Sequence, residues 1–123
     1  MALIVLQLHQ GLANATVLFM LICSAWGFVD YLRRQAVGPN LRGSLVIGEG
    51  LIFVQGALGA GLLLLGLRAG NTIHLLYGIL AAASLPAAYA LLPTPEPAHR
   101  ESLQVGVVCL FIVGLALRAM TTA

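Results

Sequence analysis

The stretch LIVLQLHQGLANATVLFMLICSAWGFV, residues 3–29, decides the fold. It contains no Lys, Arg, Asp or Glu, and its apolar residues do not alternate with polar ones as the strands of a membrane barrel do. A helix needs roughly 20 apolar residues to cross a hydrocarbon core of about 30 Å, and this stretch exceeds that length. Three further runs, Ser44 to Leu67, Thr72 to Leu92 and Leu103 to Ala119, repeat the pattern, the last at the short end of the range. The sequence therefore predicts an all-α integral membrane bundle of four helices, up-down-up-down, forming a single domain over 1–123.

Composition agrees: 60% of the chain is hydrophobic and 8% charged, whereas a soluble domain carries about 25% charged residues. The six basic residues are all Arg, and a net charge of +2 is too weak to steer the chain to nucleic acid, so that class of partner is set aside. Cys23 and Cys109 lie singly within apolar runs and read as small buried residues rather than thiolate ligands. The N-terminal run lacks both a basic n-region and a small-residue cleavage site, and it is longer than a signal h-region, so it is read as the first span.

The links carry helix breakers and charges. Tyr31 to Gly43 contains Arg33, Arg34, Gly38, Pro39 and Arg42, and the third link contains Pro93, Pro95, Pro97, His99 and Arg100. Arg68-Ala69-Gly70-Asn71 is expected to form a tight hairpin turn, with glycine at the positive-φ position. Arg33, Arg34, Arg42 and Arg100 outnumber Arg68 and Arg118 on the other side, which predicts a multi-pass plasma (inner) membrane protein with both termini outside. Helices in lipid pack through small residues and a few polar contacts. Helix two is rich in glycine (Gly48, Gly56, Gly59, Gly61, Gly66) and helix three in alanine, so these two are expected to pack tightly, with Pro86 accommodated by a kink or a neighbour.

His9, Thr16, Cys23 and Asp30 recur at seven-residue steps, giving the first helix one polar face that must point into the bundle. Thr16 and Cys23 on that face suit a packing seam, and Asp30 an interfacial ion pair with Arg33 or Arg34. His9 and His74 each lie near the start of a helix running in the same direction, so they share a depth. A six-coordinate haem iron takes two imidazoles from opposite sides, and the first and third helices are diagonal in a simple bundle, which leaves the wider gap such ligation needs. Gly78 lies a turn below His74 and Ala13 a turn below His9, leaving space beside the ligands. Arg68 and Arg118 lie at the same end, where propionates need cations. The competing reading places each histidine simply with its polar tip at the headgroups. His99 is expected to be solvated. Glu49, read as opening helix two, is expected to be an interfacial anchor rather than a proton-relay member. Gln55 is expected to hydrogen-bond across to helix one or three.

Gln55-Gly56-Ala57-Leu58-Gly59, followed by Ile73-His74-Leu75-Leu76 and an alanine-rich helix, resembles a helix pair in one half of haem A synthase, and His9 with the small residues after it resembles the preceding ligand helix. The resemblance covers about 80 residues. It implies haem b as cofactor, with His9 and His74 as axial ligands. Gln10 stands where that family has Arg, and Val5 to Leu8 carry no acid, so the synthase reaction is not implied. A likeness to di-haem membrane cytochromes b fails because those need four intramembrane histidines.

Two functions are expected. The first is a one-haem b-type electron-transfer protein working between a quinol, or another redox subunit, and a partner on the His9/His74 side. The second is a haem-free accessory subunit of a larger respiratory or photosynthetic membrane complex. A transporter module fits less well, because the spans carry no midplane charge pair. No nucleophile triad, phosphate loop or paired-carboxylate site points to an enzyme.

Overall fold

The computed structural model describes residues 2–66, 72–93 and 95–122, with residue 122 described by its backbone alone. Four helices account for nearly all of it: α1 (Ala2–Leu32), α2 (Pro39–Leu64), α3 (Ile73–Leu91) and α4 (Arg100–Thr122). Each is long and apolar enough to cross a membrane, and there is no strand among the described residues.

The buried residues follow alternating three- and four-residue steps. They are Thr16, Met20, Cys23 and Gly27 on α1, Leu41, Leu45, Gly48 and Ile52 on α2, Ala81 and Leu85 on α3, and Ser102, Val105, Cys109 and Ile112 on α4. That spacing places one stripe per helix toward the bundle axis. Large apolar residues off the stripes, such as Leu18, Ile47, Ile79 and Phe111, are exposed from the bundle and face the lipid-side surface. Both cysteines are free and buried.

Around the bundle the order is α2, α1, α4, α3. α1 packs most extensively on α4, then on α2, and α3 packs on α4, while α1 and α3 are diagonal and do not pack on each other among the described residues. The tight α2/α3 pairing expected from their small residues is not found among the described residues, where this is the least extensive of the four interfaces. A glycine marks close approach only where something approaches it, and a Cβ at Gly56, Gly61 or Gly78 would meet nothing within 4 Å. The close crossing is α1/α4 instead. A Cβ on Gly27 would lie 2.8 Å from both the Gly106 nitrogen and the Ser102 carbonyl oxygen, and the Ser24 hydroxyl donates to the Gly106 carbonyl at 2.8 Å.

Several helix ends differ from the expected ones. α2 begins at Pro39, not Ser44, with Gly38 extended before it. Proline suits the first helical position, where no N–H is needed and its fixed φ is already helical, so it starts the helix rather than breaking it. α1 stops where Arg34 turns left-handed at φ 55°, with the Gln35 N–H donating to the Asp30 carbonyl and the Arg34 N–H to the Tyr31 carbonyl. Gly66 takes a positive φ of 88° after α2; the Arg68–Asn71 turn lies outside the described residues. α3 continues through Pro86 to Leu91.

Polar ties close the end of the bundle opposite His9. Arg42 donates to Glu101 at 2.7 Å, and the Ser102 hydroxyl donates to the Gln35 carbonyl at 2.6 Å. The His99 ring packs on Tyr31 with centroids 5.7 Å apart, so it is not simply solvated. Asp30 makes no ion pair with Arg33 or Arg34 among the described residues; the acid paired at this end is Glu101.

Candidate paired-histidine site

α1 and α2 run antiparallel, and their register is read from two contacts. Gly48 of α2 lies against Phe19 and Met20 of α1, and Gly59 lies against the His9 ring. The absence of a side chain at Gly59 is what lets that ring settle on α2, since a Cβ there would stand 3.2 Å from the His9 Cε1. The ring's Nδ1 lies 3.1 Å from the Gln55 backbone carbonyl. On the other diagonal helix, the His74 Nδ1 lies 2.6 Å from the Ala119 carbonyl of α4. Both rings are half-buried.

The two rings meet. Their centroids are 6.1 Å apart and their planes are inclined at 68°. The shared depth expected of His9 and His74 is thus realised on diagonal helices, α1 and α3, whose backbones stay apart while these rings meet. An imidazole whose Nδ1–H donates to a carbonyl holds its lone pair on Nε2, the atom that binds metals, and such a bond also fixes the ring's orientation. These carbonyls, and the seat at Gly59, are parts of the site that the sequence reading missed. A backbone acceptor leaves no residue-type signal.

The donor set was compared with what a metal would need. No group of three or more His, Cys, Asp or Glu residues comes together among the described residues, so a fully protein-ligated ion is not catered for at the pair. A macrocycle that supplies the equatorial donors needs only two axial ligands. With nitrogens bonded at about 2 Å, and each lying roughly 1 Å from its ring centre, two such imidazoles have centroids about 6 Å apart. The observed spacing matches. It also falls within the range of about 4.5–7 Å for direct edge-to-face ring contact.

Of the remaining expected site residues, Ala13 is half-buried and Gly78 exposed, a Cβ at Gly78 meeting nothing within 4 Å. Arg118 is exposed on α4 beside Ala119, at the same end as the histidines. Arg68 lies outside the described residues.

Gln55 contributes only its backbone carbonyl to a cross-helix bond. Its side-chain oxygen, the Thr16 hydroxyl and both Glu49 carboxylate oxygens are closed off and have no hydrogen-bond partner. Glu49 does not open α2, as expected from a start at Ser44; it lies ten residues beyond Pro39, about 15 Å into the helix at 1.5 Å per residue. No family model, curated protein or solved structure matches this chain.

Proposed function

We propose that this chain is a membrane-embedded single-haem b-type electron-transfer protein, with His9 and His74 as axial ligands from diagonal helices. The observation that carries the reading is the approach of the two rings to 6.1 Å with their planes inclined at 68°, each with its Nδ1 on a backbone carbonyl. Haem b, when bound, would supply one-electron redox chemistry there. The chain's part would be to orient the two imidazoles, each through its Nδ1 on the Gln55 or the Ala119 carbonyl. Gly78 and Ala13 would leave room next to the ligands, while Arg118 and Arg68 would supply positive charge for propionates.

In this reading the chain is a multi-pass protein of the plasma (inner) membrane, with both termini and the histidine end outside, following the arginine distribution. The proposed donor is a quinol or another redox subunit, and the proposed acceptor a partner on the histidine side.

The same edge-to-face geometry supports a second reading. Two rings anchored on carbonyls can lock α1 to α3 directly, as suits a haem-free accessory subunit docked among other membrane subunits. An absorption spectrum of the purified protein separates the two. Haem ligation gives reduced-minus-oxidised Soret and α bands that disappear in both His74→Ala and His9→Ala. A colourless protein that stays colourless on incubation with haem overturns the haem reading.

A further inference from the structure

We propose that Glu49 is a proton-carrying carboxyl in the middle of the membrane, exchanging its proton toward the His9/His74 end past Thr16 and Gln55. The proposal is independent of whether haem binds.

Depth comes first. Gly48 lies against Phe19 and Met20, which places the neighbouring Glu49 level with the middle of α1. From there to the level of His9, at Gly59, is about 15 Å along α2, and Pro39 is about 15 Å the other way. The carboxylate is therefore far from either end of the helix, where an interfacial anchor would sit.

Surroundings come second. Both Glu49 oxygens are closed off and without a partner. An unpaired carboxylate in hydrocarbon is costly, and an intramembrane acid that persists marks a functional site. Among the described residues, the elements packed on α2 bring no cation to this level. α1 presents Thr16, Phe19 and Met20, with Cys23 a turn further on, and α3 carries Tyr77 and Tyr89 toward its two ends. On α2 itself the nearest charge is Arg42, about 10 Å along the helix and bonded to Glu101. With no counter-charge, the neutral acid is the form this environment accommodates, and it is a donor in search of an acceptor.

Direction comes third. The other closed-off, unpartnered side-chain oxygens among the described residues are those of Thr16 and Gln55. Thr16 is 4% exposed and falls between the Gly48 and Gly59 levels, and Gln55 stands one turn before Gly59. The three groups thus climb from Glu49 toward His9, whose ring rests on the Gln55 carbonyl. At the opposite end the hydroxyls of Ser24 and Ser102 are committed to carbonyls.

The test uses the full chain in detergent micelles at neutral pH. Infrared spectra should show a carboxylic-acid carbonyl band that shifts on transfer to D2O, is lost in Glu49→Gln and is kept in Glu49→Asp. Gln55→Leu, which leaves the backbone carbonyl in place, should slow that shift several-fold. On the unmodified protein, a hydrophobic carbodiimide, which attacks protonated carboxyls, should label Glu49 as read by mass spectrometry, so the test does not depend on a variant folding. Absence of the band, its survival in Glu49→Gln, or labelling confined to Asp30, Glu96 and Glu101 overturns the proton site. An unchanged exchange rate in Gln55→Leu overturns the route.

Discussion

Gly59 has room for a hydrogen and little more. A Cβ there meets the His9 ring at 3.2 Å, so Gly59→Val must push the imidazole off α2 and off the Gln55 carbonyl. Overpacking of this kind costs about 1–3 kcal/mol, and here the ring gives way first because it is the movable partner. Haem content per chain, measured as the pyridine haemochrome, should therefore fall sharply in Gly59→Val. Gly78→Val offers the matched comparison. Its Cβ meets nothing within 4 Å, so thermal unfolding should hardly move, whereas haem content should drop if the macrocycle lies beside Gly78 as proposed. Equal haem content in both variants and the parent would place the ligand elsewhere.

Among the elements, α1 and α4 form the closest pair, and the reason is a shared glycine crossing. Gly27 faces the backbone of Ser102 and Gly106 at a distance no Cβ tolerates, and Gly106 in turn receives the Phe28 ring. Neither backbone can yield as a flexible side chain would. Gly27→Ala should therefore destabilise the bundle by about 1–3 kcal/mol, read from reversible unfolding in mixed micelles. Ser24→Ala, which removes only the hydroxyl bond to Gly106, should cost about 0.6 kcal/mol, the usual size of one interhelical hydrogen bond in lipid. Gly56→Ala and Gly61→Ala should cost nothing or stabilise slightly, since their surroundings are open and alanine is the better helix former by about 1 kcal/mol. A Gly27→Ala protein as stable as Gly56→Ala would refute the crossing.

These contrasts show what was legible in the residues. Four spans, the inward turn of Thr16 and Cys23 on the first helix and the common depth of His9 and His74 could be read, because span length and helical period are local properties. Which small residues meet a neighbour could not, since Gly27 and Gly56 look alike until the partner helix is placed. Pro39 opens α2 rather than breaking the chain before it, and a start at Pro39 instead of Ser44 carries Glu49 from the end of the helix to its middle.

For the whole molecule, the two diagonals of the bundle are tied at opposite ends. His9 and His74 bring α1 to α3 at one end, and Arg42 reaches Glu101 to bring α2 to α4 at the other. Between them the α2/α3 seam is the least extensive among the described residues, the side on which the proposed flat ligand would meet least packing. The two ties differ in strength. Arg42 is 49% exposed and Glu101 15%, so water and salt screen the pair and its coupling should be about 0.2–1 kcal/mol. A double-mutant cycle with Arg42→Ala and Glu101→Ala should return a coupling in that range that shrinks as ionic strength rises, with any haem spectrum unchanged, because the tie lies at the far end from the imidazoles. A coupling of several kcal/mol, or a spectrum that shifts when Arg42 is removed, would mean that the two ends are mechanically linked through α2 and that the seam is closed rather than yielding.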